Sequence, residues 1–176
     1  MNKGLFLKKI LLWDFLCMLV LIAVDRVAKY YAGIYCKKDN YIVFENIFEI
    51  TFLENYGGAF GILNNQRFFF VFISALFVCL ILFLIFAMPN HKKFNTLNIW
   101  LAFVLSGTVG NMIDRIIYGY AVDILYFPVI NFPVFNLADI FISLGMIFTV
   151  IIVLFRLKEK DFEFLNFKQN KYREIK

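Results

Sequence analysis

Long apolar stretches recur along the chain and are separated by shorter polar segments. Four of them have about the 20 residues that a helix needs to cross the hydrocarbon core of a membrane, and they occupy residues 11–31, 68–88, 97–117 and 137–155. The second stretch carries no charged residue, whereas the other three carry charge close to an end. The pattern predicts an all-α membrane protein with four transmembrane helices, in a single membrane domain over residues 1–176.

The first apolar stretch also has one property of a cleavable signal peptide, because three lysines precede it. Against that interpretation, Asp14 interrupts the stretch and a charged segment, 25–29, closes it. No small-x-small cleavage pattern follows. We therefore interpret residues 11–31 as the first membrane span.

Two longer segments connect the spans on one side, residues 32–67 and 118–136. Within the first, Tyr41–Phe44 and Phe48–Leu53 are rich in β-branched and aromatic residues, and a turn sequence follows at residues 55–58. This pattern predicts a small extracytoplasmic β-sheet between helices 1 and 2. In the second, residues 118–134 are aromatic and contain two prolines, and we expect them to run along the membrane interface.

The composition indicates a membrane protein, and the distribution of positive charge predicts its orientation in the membrane. The chain is 62% hydrophobic, and its mean hydropathy of +0.75 is well above that of ordinary soluble domains. Most of the 18 lysine and arginine residues lie before the first span, between spans two and three, and in the tail at 156–176. The positive-inside rule then places both termini and this tail in the cytoplasm. The net charge of +5 thus reflects topology, and we expect no nucleic-acid partner.

The cysteines and the histidine do not indicate a metal or redox site. Cys17, Cys36 and Cys79 are an odd number without CxxC spacing, and His91 has no HExxH context. We expect no disulfide framework, no metal and no cofactor.

Polar residues concentrate at one depth of the predicted membrane domain. The topology brings together the outer ends of three spans and both outer loops. The residues gathered there are Asp25, Lys29, Asn55, Asp114, Arg115, Asp123 and Asp139. Charge near hydrocarbon costs several kcal/mol unless it is paired or hydrated, so these residues are candidates for a functional site.

Structural roles compete with catalytic ones for several of these residues. Asp25 and Lys29 are four residues apart on one helix face, which suits an ion pair, and Asp114 with Arg115 is interpreted as a second pair at the membrane edge. Asn136 and Asp139 have the spacing of a capping box at the start of the last span. For Asp139, the capping role and a catalytic role both remain open.

Asp123 and Asp139 form the natural carboxylate pair, since both are expected at the same depth on either side of one loop. Two adjacent carboxylates near an apolar boundary share one proton, so one can act as a general base on water while the other donates to a carbonyl. Asp114 is the reserve candidate.

Five segments resemble, in order, the motifs of bacterial lipoprotein signal peptidase, also called signal peptidase II. They are residues 25–29 (DRVAK), 55–61 (NYGGAFG), 110–115 (GNMIDR), 119–123 (GYAVD) and 135–139 (FNLAD). The resemblance covers most of the chain, and the last three motifs together are highly specific.

The resemblance implies a four-span aspartic protease of the bacterial inner membrane. Such an enzyme cuts prolipoproteins just before a cysteine that already carries diacylglycerol. The implied dyad is Asp123 and Asp139, in contact with membrane lipids and prolipoprotein substrates, in a protein expected to be monomeric. The implied supporting residues are Asn55, Gly57, Asn111, Arg115 and Asn136, which position the dyad and substrate, together with Asp25 and Lys29.

Three other functions use the same residues. A small proton-coupled transporter would also need intramembrane carboxylates, although its site usually lies near the midplane on repeated halves. A non-enzymatic assembly factor would use polar residues only to hold helices together. A serine/lysine peptidase would depend on Lys29.

Overall fold

The computed structural model describes residues 3–58, 62–89 and 91–165, with side chains from Leu12 onward. Parts of several sequence predictions lie outside the described residues. These are Ala59, Phe60 and Gly61 of the second motif, Asn90 of the turn between spans two and three, the side chains of Lys3, Lys8 and Lys9, and residues 166–176 of the tail.

Four helices dominate the described part of the chain. They are α1 (Lys3–Tyr35), α2 (Arg67–Ala87), α3 (Lys92–Ile117) and α4 (Leu137–Phe155). Among the described residues, α2, α3 and α4 have the length and composition to cross a membrane. The helix α1 is longer, with 33 residues, and carries four charges between Asp14 and Lys29. The predicted bounds of α2 and α4 agree within one residue, whereas α1 and α3 extend into polar residues that an apolar pattern cannot reveal.

The sheet differs from its prediction. Four antiparallel strands follow one another in the order β1-β2-β3-β4. Their bounds are β1 (Tyr41–Phe44), β2 (Phe48–Asn55), β3 (Ala121–Phe127) and β4 (Phe132–Phe135). Strand β1 is confirmed as predicted and β2 runs two residues further, but the sheet is not confined to the segment between helices 1 and 2, because its second half comes from residues 118–136.

Strands β3 and β4 were not predicted, because β3 forms by pairing with a strand that is distant in sequence. Strand β3 pairs with β2, so that Glu54 lies opposite Val122 and each strand satisfies backbone groups of the other. The chain reverses through a 3₁₀ turn at Pro128–Ile130 and Asn131, which has a positive φ of 45°. Pro133 is tolerated because β4 is an edge strand.

Helix α3 lies at the centre and packs against each of the other three helices. Two glycines let α3 and α4 approach closely. A Cβ atom on Gly107 would lie 2.2 Å from the carbonyl oxygen of Ala138, and one on Gly145 would lie 2.7 Å from that of Trp100. The backbones are thus in direct contact, and this contact fixes the start of α4 against the middle of α3.

Candidate active site

Asp123 and Asp139 both line one cavity of about 840 Å³ between the sheet and helices α3 and α4. Asp123 lies on β3, where Val122 and Ile124 pack toward Ala32 of α1 and the carboxylate faces the other way. Asp139 lies in the first turn of α4. The remaining walls combine the turn at 55–58, parts of α3 and α4, and the apolar strand β4.

Two amide groups hold the carboxylate of Asp123. Asn55 Nδ2 donates to Oδ2 over 2.8 Å, and Asn136 Nδ2 donates to Oδ1 over 2.7 Å. Burial, followed by the nearby charge of Asp139, raises the pKa of Asp123 to about 6, while the two amide hydrogen bonds oppose this rise. The group therefore titrates much closer to neutral pH than an exposed aspartate.

Asp139 closes the predicted capping box at the start of α4. Its backbone N–H donates to Asn136 Oδ1, and its Oδ2 accepts from the backbone N–H of Asn136, both over 3.0 Å. The other carboxylate oxygen, Oδ1, accepts from Asn111 Nδ2 over 2.7 Å. The capping role is confirmed, and it leaves the carboxylate on the cavity wall.

The orientation of the Asn111 amide is set by its neighbours. Its Oδ1 accepts from Lys29 Nζ over 3.0 Å and from Asn136 Nδ2 over 3.1 Å. Because the oxygen faces these two donors, the amide nitrogen must face Asp139.

Lys29 is almost fully buried, and its ammonium group has three partners. Besides Asn111, its Nζ contacts Asp25 Oδ2 at 2.8 Å and Asp114 Oδ2 at 2.7 Å. The predicted Asp25–Lys29 pair is confirmed. Asp25 also accepts from the backbone N–H of Ala138 over 3.0 Å, which ties α1 to the start of α4.

The prediction that Asp114 and Arg115 form an ion pair with each other was wrong. Asp114 forms ion pairs with Arg26 and Lys29 of α1 and has no exposed surface. Neighbouring residues on a helix point about 100° apart, and the face of α3 that carries Asp114 packs against α1.

Arg115 instead donates from Nη2 to the carbonyl oxygen of Gly57 over 2.8 Å. Its guanidinium carbon also lies 4.9 Å from the ring centroid of Phe70. Asn55 Oδ1 accepts from the N–H of Gly57 over 2.9 Å, so both the N–H and the carbonyl group of Gly57 are held in the turn beside Asp123 and Asp139.

Comparison with known proteins agrees with this site. The family described as "Signal peptidase (SPase) II" matches residues 17–155. A protein of Clostridium tetani named lipoprotein signal peptidase is 36% identical over 149 residues, covering 81% of this chain and 90% of that protein. A protein of the same name from Brevibacillus brevis is 40% identical over 136 residues, covering 77% and 90%. The chain belongs to the signal peptidase II family.

Two solved bacterial membrane enzymes, determined by the in meso method at 2.3 and 1.9 Å resolution, have the same fold. The first aligns with a TM-score of 0.72 at 25% identity, covering 83% of this chain and 92% of its own. The second aligns with a TM-score of 0.69 at 26% identity, covering 82% of this chain and 94% of its own. A signal peptidase II is a peptidase of the bacterial inner membrane, and the transporter alternative gains no support.

Two residues of this candidate site were not predicted from the sequence. Arg26 shares Asp114 with Lys29, a contact between residues 88 positions apart that no local spacing reveals. Ser143 lines the cavity one helical turn after Asp139, and its spacing of four residues could have indicated it.

Proposed function

We propose that the chain is an aspartic endopeptidase that removes signal peptides from diacylglyceryl-modified prolipoproteins. The observation that carries the proposal is the pairing of Asp123 and Asp139 on one cavity wall, each held by asparagine side chains. Membership of the signal peptidase II family supplies the substrate class.

The charge balance of the site supports a dyad that holds one proton. Four carboxylates, those of Asp25, Asp114, Asp123 and Asp139, lie near three cations, Arg26, Lys29 and Arg115. With the dyad fully ionised, this buried group would carry one uncompensated negative charge, which burial disfavours. One proton shared by the dyad makes the group neutral.

In the proposed reaction, the ionised aspartate takes a proton from a water molecule, and the oxygen of that water attacks the scissile carbonyl carbon. The protonated aspartate donates a hydrogen bond and then its proton to the carbonyl oxygen. The first aspartate then gives its newly gained proton to the leaving nitrogen and the C–N bond breaks. As the C=O bond reforms, the second aspartate takes a proton back from one hydroxyl of the tetrahedral intermediate, so the dyad regains its starting state. Arg115 and Asn55 position the turn at 55–58 beside the substrate.

We place the protein in the membrane with α1 as a fourth span and all residues in a single domain. The charged end of α1, the end of α3 and the start of α4 meet at the dyad, which puts the sheet at one membrane surface. The positive-inside rule makes this the outer surface, with both termini in the cytoplasm. The apolar residues Ile140 and Leu144 then offer a path for the signal peptide within the membrane, and one copy of the chain supplies all the groups the reaction needs.

The test is cleavage of a diacylglyceryl-modified prolipoprotein, and of its unmodified form, by purified Asp123→Asn and Asp139→Asn variants. Asparagine keeps the size of the side chain and one of its two hydrogen-bond acceptors, and the cap bond from the backbone N–H of residue 139 to Asn136 Oδ1 does not use the changed side chain, so the fold should be retained. General acid–base catalysis contributes about 10²–10⁴-fold, and we expect losses in kcat of at least that size. Asp161→Asn, which changes a carboxylate on the 3₁₀ helix after α4, is the matched control.

Full activity in either dyad variant would overturn the mechanism. Equal cleavage of modified and unmodified substrate by the unaltered enzyme would overturn the lipid requirement.

A further inference from the structure

The sheet separates the dyad cavity from a second cavity of about 770 Å³ on its other face. Alternate residues of β2 and β3 face opposite sides, so that Asn55 and Asp123 line the first cavity while Phe52 and Val122 line the second. The C-terminal part of α1 closes the second cavity. No part of the proposed reaction uses it.

The second cavity is basic. Three cations line it, Arg26, Lys29 and Lys37, and none of its described lining residues is acidic. The Lys29 ammonium already forms ion pairs with Asp25 and Asp114 and donates to Asn111. The other two cations retain unused donors.

Arg26 contacts Asp114 through Nη1 only, and the other guanidinium nitrogens have no hydrogen-bond partner in the described part of the chain. The Lys37 ammonium lies 5.4 Å from the ring centroid of Phe52 and forms no ion pair with any described residue. An anion that entered the cavity would therefore meet two cations without displacing a partner from Lys37.

Tyrosines and an apolar stripe relate the cavity to the membrane. Tyr30 and Tyr31 line it with 66% and 53% of their surface exposed, as expected of side chains at the level of lipid head groups. Val20, Val27 and Ile34 are exposed at seven-residue intervals on α1, so they share one face that runs from the cavity along the helix. A ligand with an anionic head and apolar chains matches both parts of this surface.

We propose that the second cavity binds the phosphodiester head group of an anionic phospholipid, with Arg26 and Lys37 as its cationic contacts. A guanidinium can contact two phosphate oxygens at once, and the lysine adds a point charge. The acyl chains lie along the α1 stripe of Val20, Val27 and Ile34. This inference rests on the proposed placement of the sheet at the membrane surface.

The experiment measures lipid retained by the purified full chain in detergent micelles doped with equal amounts of phosphatidylglycerol and phosphatidylcholine, read by native mass spectrometry. Lys37→Gln removes a cavity cation, and Lys38→Gln removes the adjacent exposed lysine, which lies outside the cavity lining. A basic residue near an anionic lipid surface is worth about fivefold in affinity. We expect selective retention of phosphatidylglycerol, weakened about fivefold by Lys37→Gln and unchanged by Lys38→Gln.

Three results would overturn the inference: no preference for phosphatidylglycerol in the unaltered protein, equal weakening by both lysine variants, or displacement of the lipid by glycerol phosphate at the same concentration. The last result would assign the cavity to free phosphate. Asp123→Asn should retain the lipid, because Asp123 faces the other cavity. Loss of cleavage in that variant and loss of lipid in Lys37→Gln therefore test separate proposals.

Discussion

Gly107→Ala tests whether the contact between α3 and α4 sets the geometry of the dyad. The added Cβ would lie 2.2 Å from the carbonyl oxygen of Ala138 and 2.7 Å from Ile142 Cγ1. A carbon and a carbonyl oxygen normally stay about 3.3 Å or more apart, so the start of α4 has to move by about 1 Å. Asp139 is the next residue, and its 2.7 Å contact with Asn111 would lengthen by a similar amount.

Misplacement by about 1 Å can lower a catalysed rate by about 100-fold, and overpacking costs about 1–3 kcal/mol of stability. We therefore expect Gly107→Ala to remain folded with kcat reduced about 100-fold and KM changed much less. The assay is steady-state cleavage of a diacylglyceryl-modified prolipoprotein in micelles, with thermal unfolding of the same preparations as the measure of stability.

Gly145→Ala is the matched control. Its Cβ would lie 2.6 Å from Val104 Cγ2 and 2.7 Å from the carbonyl oxygen of Trp100, a comparable overlap between the same helices. It lies about 9 Å further along α4 than Asp139. Its loss of stability should resemble that of Gly107→Ala, with a smaller effect on kcat. An unaltered turnover rate in folded Gly107→Ala, or the same fractional loss of kcat in both variants, would show that the contact at Gly107 does not set the position of Asp139.

Two further predictions concern the polar network. Lys29→Met leaves the buried carboxylates of Asp25 and Asp114 without their shared partner. Loss of one member of a buried ion pair costs about 3–5 kcal/mol. Chemical denaturation should therefore detect a large loss of stability, which the control variant Lys38→Met should not show. Asn55→Ala removes a hydrogen bond that lowers the pKa of Asp123, so this pKa should rise. The proposed dyad loses its shared proton on the alkaline limb of the pH–rate profile. That limb should therefore move to higher pH. An alkaline limb that stays in place or moves to lower pH would contradict this account.

Hydropathy was sufficient to locate the four long helices, though not the polar ends of α1 and α3, because each helix contains a local run of apolar residues. Strand β1 was also predictable, from a local β-rich pattern. Strand β3 was not, because its pairing with β2 joins residues about 70 positions apart, as in the contact of Asn55 with Asp123. Its sequence also has no alternation of apolar and polar residues. This fits the structure, in which Ala121–Ile124 are buried on both faces of the strand.

The proposed site shows the same division between local and distant information. The capping box of Asn136 and Asp139 and the Asp25–Lys29 pair depend on spacings of three and four residues, and both are present. The Asp114–Arg115 prediction failed because adjacent residues were assumed to interact. The direction in which Asp114 points is decided by the packing of α3 on α1, which no local pattern contains.

The direction of the hydrogen bonds around the dyad bears on how it can handle a proton. All described side-chain groups that hydrogen-bond to the two carboxylates are amide N–H donors. Asn55 and Asn136 donate to Asp123, and Asn111 donates to Asp139. An amide that donates in this way cannot accept a carboxylic proton through the same nitrogen. None of these described asparagine partners can therefore accept the proton that leaves an aspartate, which has to pass to another group lining the cavity, to water or to the substrate. The asparagines thus hold both carboxylates in place without taking part in the proton transfer that the proposed mechanism requires.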